Sequence, residues 1–99
     1  MEKDLLKIIE HFDINNQQRK LQEEVFELSE AIINYENAKI VFGKRSTLGT
    51  QHIAEEIADV EVMLLQFKEY YHIDGNEILE IMNNKIKRTL ERIESGYYE

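Results

Sequence analysis

Apolar residues recur every three or four positions along most of the chain, which predicts a series of amphipathic helices. The predicted helices cover residues 2–12, 16–37, 51–71 and 75–94. Two glycines and several hydroxyl residues in residues 38–50 predict a loop, with Thr50 as the N-cap of the third helix. An alternative end for the second helix is residue 41 or 42. The expected fold is therefore all-α: a single domain over residues 1–99, built as an antiparallel bundle of four to five helices.

One pattern of apolar and acidic residues occurs twice, and Glu24 of the first copy corresponds to Glu56 of the second, 32 positions later. The predicted apolar stripes are Leu21, Val25, Leu28 and Ile32 in the first copy, and Ile53, Ile57, Val60 and Leu64 in the second. At about 100° per residue, Glu24 and Glu27 lie on one flank of their stripe. Glu56 and Asp59 lie on the equivalent flank. The repeat thus predicts that four acids come together where the two helices pack.

The last predicted helix carries both an apolar stripe and a basic edge. The stripe, expected to face inward, consists of Ile78, Leu79, Met82, Ile86, Leu90 and Ile93. Lys85, Arg88 and Arg92 lie together along one edge of it. The third helix is apolar on most sides beyond Val60, which indicates a subunit interface as well as a core. We therefore expect a dimer or a dimer of dimers.

Four carboxylates at close range repel one another, and a hard divalent cation among them removes that repulsion. Ligands that are all oxygen favour Mg²⁺, with Mn²⁺ as a possible substitute. Mg²⁺ commonly links protein carboxylates to substrate phosphates, and the basic edge would neutralise further phosphates. The simpler alternative is that these acids only form solvated helix faces.

Composition narrows the classes of function. The net charge of −8 disfavours binding to nucleic acid, which is itself a polyanion. The absence of cysteine excludes disulfide scaffolds and thiolate zinc sites. No apolar run has the length of a membrane span or the form of a signal peptide. These features predict a cytoplasmic protein that does not bind membranes.

Several motifs in this order resemble the MazG-like all-α nucleoside triphosphate pyrophosphohydrolases, whose signature is ExxE, a spacer and ExxD. The motifs here are EEVFEL at residues 23–28 and EEIADV at residues 55–60. QQRKL at residues 17–21 is similar to the segment before the first motif, and NNKIKR at residues 83–88 to a run on the family's last helix. The resemblance covers residues 15–92. The chain lacks the tryptophan that some members have before the first motif.

The resemblance implies a specific reaction, in which water attacks the α-phosphorus of a nucleoside triphosphate and releases pyrophosphate. The implied Mg²⁺ ligands are Glu24, Glu27, Glu56 and Asp59. Glu27 would also orient or deprotonate the water, and Lys85 and Arg88 would act catalytically on the phosphates. The expected contacts to substrate come from Gln17, Lys20, Asn83, Lys85 and Arg88. In an ideal helix, Asn83 lies on the opposite edge of its stripe from Lys85.

Other functions remain open at the level of the sequence. The candidate substrates are NTPs and dNTPs in general, dUTP or dCTP, a damaged nucleotide, and phosphoribosyl-ATP. A non-catalytic helical module that keeps the fold and binds a partner protein is the main alternative. We expect the three histidines to be surface or interface residues, and Lys39, Lys44 and Arg45 to form a solvated basic loop.

Overall fold

A computed structural model describes residues 1–42 and 47–99 of the chain, with side chains for all of these except 41, 42, 47 and 48. The described residues form four α-helices and no strand, which confirms the all-α prediction. The helices are α1 (Glu2–Phe12), α2 (Ile14–Phe42), α3 (Thr47–Tyr70) and α4 (Gly75–Glu94). None of them is both long and apolar enough to cross a membrane.

The helix boundaries follow local capping chemistry. Asp13, with a φ of 66°, ends α1, and its Oδ1 accepts a hydrogen bond from the Asn16 backbone N–H at 3.0 Å. The end of α3 is closed by a hydrogen bond from the Ile73 N–H to the Lys68 carbonyl, around His72 at a φ of 55°. Asp74 then caps α4 by accepting from the Asn76 N–H at 2.9 Å. The break predicted between the third and fourth helices, at residues 72–74, is thus confirmed.

The loop predicted over residues 38–50 is wrong at its C-terminal end, whereas the alternative extension of the second helix to residue 42 is confirmed. Residues 38–42 belong to α2 and residues 47–50 to α3, so Thr50 lies inside a helix and is not its N-cap. Hydroxyl residues and a glycine each cost a helix at most about 1 kcal/mol, which packing readily offsets. Lys39 is half-buried on α2 and pairs with Glu36 at 2.8 Å. Lys44 and Arg45 lie outside the described residues.

The core is formed by α1, α2 and α3, and α4 lies largely apart from it. Helices α2 and α3 run antiparallel, because residue 17 of α2 meets residue 66 of α3 while residue 24 lies beside residue 56. Buried apolar side chains come from α1, α2 and α3: Leu5, Ile9, Ala31 and Met63. The inward orientation predicted for the α4 stripe is wrong within one chain, since Met82, Ile86 and Leu90 are each more than half exposed. The other three helices close their core without it.

Candidate metal centre

Glu24 lies in the seam between α2 and α3 and not beside it. The buried positions on α2 recur every seven residues, at Gln17, Glu24 and Ala31. Half-buried Leu21 and Leu28 alternate with them, as expected for two helices in coiled-coil contact. Glu56 occupies the equivalent half-buried position on α3. The repeated pattern therefore places one glutamate from each helix inside the contact.

The apolar stripes predicted for α2 and α3 face the core along only one edge. Val25 and Ile32 are 48% and 43% exposed, and their counterparts Ile57 and Leu64 are 41% and 51% exposed. The seam is rotated toward the acidic flank, because Gln17, Glu24 and Ala31 take the inward positions instead. The other edge of each stripe is left on the surface of the chain.

Three carboxylates meet at this seam. Glu24, Glu27 and Glu56 each offer an oxygen such that all three atoms lie within 4.8 Å of one another. Asp59 is exposed on α3, one turn beyond Glu56, and is not a member of this cluster. Its side chain is one methylene shorter than that of Glu27, its counterpart in the repeat. The structure therefore brings together three of the four predicted ligands.

The two inner carboxylates have matching environments. Oε1 of Glu24 accepts from the Lys20 ammonium at 3.0 Å, and Oε1 of Glu56 lies 3.9 Å from Nε2 of His52. Each of these partners is placed four residues earlier on the same helix. The Oε2 atoms of Glu24 and Glu56 are both buried and have no hydrogen-bond partner among the described residues. Two buried carboxylate oxygens without partners are costly unless a cation or donor is supplied.

Mutual repulsion perturbs the outer acid. The pKa of Glu27 is raised mainly by the negative charge of Glu24, then by partial desolvation and by the charge of Glu56. The hydrogen bond and the charge of Glu24 in turn raise the pKa of Lys20. Lys20 therefore offsets only part of the negative charge of the cluster. An all-oxygen cluster that retains excess negative charge can hold a hard metal ion.

The other predicted site residues fall into two groups. Gln17 and Lys20 lie on α2 beside the cluster, and Gln17 is buried against α3. Asn83, Lys85 and Arg88 lie on α4 with exposed side chains. Neither Lys85 nor Arg88 forms an ion pair with any described residue, and neither contributes to the shifted pKa of Glu27. A single chain thus does not bring the basic edge of α4 to the acids.

Two residues near the centre were not singled out by the sequence. His52 is exposed, as expected, and it also precedes Glu56 by one helical turn, as Lys20 precedes Glu24, although its contact is longer at 3.9 Å. The spacing of the repeat contains this signal, because Lys20 and His52 are also 32 positions apart. Gln66, which is 2% exposed and bonded to Gln17, has no equivalent signal because its partner lies 49 positions away.

The chain matches no protein-family model, and comparisons with curated proteins and with solved structures also find no match.

Proposed function

We propose that this chain is a Mg²⁺-dependent nucleoside triphosphate pyrophosphohydrolase of the MazG-like type, which converts an NTP or dNTP into the monophosphate and pyrophosphate. One observation carries the proposal: a cluster of three glutamates in which two buried carboxylate oxygens have no partner among the residues that the structure describes. A cluster that served only solubility would not need to bury these oxygens. The ordered motifs of the sequence supply the choice of reaction.

The donor set fits magnesium. Glu24, Glu27 and Glu56 offer only carboxylate oxygens, which favour Mg²⁺ or Mn²⁺ over metals that prefer nitrogen or sulfur. Asp59, one turn away on the same helix, would join through a small movement of its side chain or through a water molecule. When bound, Mg²⁺ would polarise the phosphate oxygens and offset the charge that develops on the pyrophosphate leaving group.

Glu27 is the residue we assign to the attacking water. Its carboxylate is exposed at the edge of the cluster, so water reaches it there. It would accept a proton as the water oxygen bonds to the α-phosphorus. The bond from that phosphorus to the oxygen bridging it to the β-phosphate breaks, and pyrophosphate leaves. Lys20 is paired with Glu24, and its ammonium would contact a phosphate bound at the cluster.

The second part of the proposal is that the active protein is a homodimer or a dimer of dimers. The radius of gyration of a single chain is 17.2 Å, whereas a compact domain of 100 residues has about 13 Å. Its accessible surface is 8159 Å², against about 5,900 Å² for a compact monomer of 11.8 kDa. The excess exceeds the roughly 800 Å² that each partner buries in a standard interface. The exposed apolar faces of α2, α3 and α4 supply this surface.

A dimer also gives the basic edge of α4 a role. Lys85 and Arg88 border the exposed apolar face of α4, so burial of that face against a second copy brings them to a subunit boundary. We propose that they contact the phosphates there, together with Asn83. The charge they carry would stabilise the transition state of phosphoryl transfer.

The test is to incubate the protein with each NTP and dNTP and Mg²⁺ and to measure pyrophosphate release. Glu56→Gln should lower the rate by at least about 100-fold. By calorimetry, Glu24→Gln should weaken Mg²⁺ binding by about 10- to 100-fold or more, since even outer partners of a metal site cost that much. Glu30→Gln, which removes an exposed acid outside the cluster, serves as the matched control and should retain both properties.

The contrary outcomes separate two alternatives. Saturable Mg²⁺ binding without pyrophosphate release from any nucleotide would retain the metal centre and reject the reaction. Absence of Mg²⁺ binding in the unmodified protein would reject both and leave a helical interaction module. The exposed apolar surface on three helices is the observation that favours such a module, because it calls for a protein partner in either case.

A further inference from the structure

A cavity of about 520 Å³ opens beside the acidic cluster, between the end of α1, the first turns of α2 and the middle of α3. Its buried lining consists of Gln17 and Met63, and the ring of Phe12, which is 51% exposed, forms a wall. Four exposed polar residues also line it: Asn16, Arg19, Lys20 and Glu23. This volume lies within the range of about 300–1,000 Å³ that is typical of small-molecule sites. We refer to it below as the α1–α2 cavity.

The α1–α2 cavity and the acidic cluster form one continuous path along α2. Lys20 lines the cavity and also bonds Glu24 of the cluster. Gln17 and Glu24 are seven residues apart, which corresponds to roughly 10 Å along a helix. A ribose and one phosphate span that scale, so a ligand with its α-phosphate at the cluster would place its base in the cavity.

The hydrogen bonds within the cavity leave a specific atom free. Nε2 of Gln66 donates to the Met63 sulfur at 3.6 Å, which directs Oε1 of Gln66 toward Gln17. Nε2 of Gln17 donates to that oxygen at 2.8 Å. Oε1 of Gln17 accepts no hydrogen bond from any described residue, and it is not among the fully buried atoms without a partner. It is therefore an accessible acceptor on a side chain that packing holds in place.

Asn16 supplies a second acceptor. Its Nδ2 donates both hydrogens, to the Phe12 carbonyl at 2.8 Å and to Oδ2 of Asp13 at 3.2 Å. Its Oδ1 has no donor within the described part of the chain and is the only polar atom of the side chain left for a ligand. The two amides of the cavity thus both offer acceptors.

We infer that the α1–α2 cavity binds the base of the nucleotide and selects bases with an exocyclic amino group. This inference rests on the proposed function. An amino group presents two N–H donors to the oxygens of Asn16 and Gln17. Uracil and thymine present one N–H donor and would form one hydrogen bond fewer with these oxygens, which lowers their affinity. Phe12 and Met63 supply the apolar and aromatic contact that a flat heterocycle requires.

The test compares cytidine with uridine, which are of nearly equal size and differ in this group. Two-dimensional NMR titrations of the full chain without metal or phosphate should show saturable shifts at Asn16 and Gln17. Cytidine should bind about 3- to 10-fold more tightly than uridine, the effect of one neutral hydrogen bond. Equal affinities, tighter binding of uridine, or no saturable shift at these residues would overturn the inference.

Variants distinguish the loss of an acceptor from a loss of stability. Asn16→Ala and Asn16→Asp both lose the amide donors, but only the aspartate keeps an acceptor, so it alone should retain a preference for cytidine. The double variant Gln17→Leu with Gln66→Leu replaces both partners of a buried hydrogen bond, which limits the loss of stability. It should bind both nucleosides equally while its Mg²⁺ affinity stays unchanged. Because no step here needs metal, failure of the metal centre and failure of base selection give different results.

Discussion

The glutamates of the cluster differ in their burial and in the charges that surround them. Glu24 is 7% exposed and paired with Lys20, whereas Glu27 is exposed and is repelled by both of its neighbours. Repulsion raises the pKa of Glu27, so the folded protein holds this proton more tightly than the unfolded chain. The contribution of this proton to the free energy of unfolding is therefore complete below the ordinary pKa of a glutamate. It is lost as the pH rises through the raised pKa of Glu27.

The raised pKa of Glu27 leads to a prediction for the metal-free protein. In the presence of a chelator at pH 7, Glu27→Gln should melt at a higher temperature than the unmodified chain, because it removes a repelled charge. The difference should vanish near pH 4, where Glu27 becomes protonated. The measurement is thermal unfolding at fixed protein concentration, with Glu30→Gln as the control for loss of a charge outside the cluster. A lower melting temperature for Glu27→Gln at pH 7 would contradict this electrostatic account.

At the scale of the elements, the seam between α2 and α3 depends on a buried amide pair. Gln17 and Gln66 are 6% and 2% exposed and satisfy each other at 2.8 Å. Gln66→Leu should lower the free energy of unfolding by about 1–3 kcal/mol, since it strands the amide of Gln17. Adding Gln17→Leu should recover most of that loss. Urea denaturation measures the free energy of unfolding of both variants. If Gln66→Leu alone were as stable as the unmodified chain, the amide pair would not stabilise the seam.

The sequence predicted the elements well and their orientation only in part. The 32-position spacing located Glu24, Glu27 and Glu56, because a helical repeat places equivalent residues on equivalent faces. It did not reveal which edge of each stripe faces the core, since Leu21 and Val25 are equally apolar and lie close together around the helix. Exposed apolar residues on a helix can follow the same spacing as core residues, so the spacing on α4 predicts a core face where the chain has a surface.

At the scale of the molecule, the apolar face of α4 should hold two copies together. Ile86 is 56% exposed at the middle of that face, so a charge there should be tolerated by the fold and should disrupt the dimer. Ile86→Asp should therefore shift the mass measured by light scattering from dimer or tetramer toward monomer. Asn84→Asp, which adds the same charge on the opposite side of α4, should leave the assembly intact. A monomeric unmodified chain at micromolar concentration would contradict the proposed dimer.

The polar layers of the seam also fix the register in which α2 and α3 pair. A slide of seven residues, which coiled-coil packing alone would permit, would set Glu24 against Met63 and bury its carboxylate in an apolar layer. The same slide would separate Gln17 from Gln66 and leave both amides without partners. Only one alignment gathers the acids in one layer and the amides in another. The residues that repel one another in the acidic cluster are thus also among those that exclude misaligned pairings of the two helices.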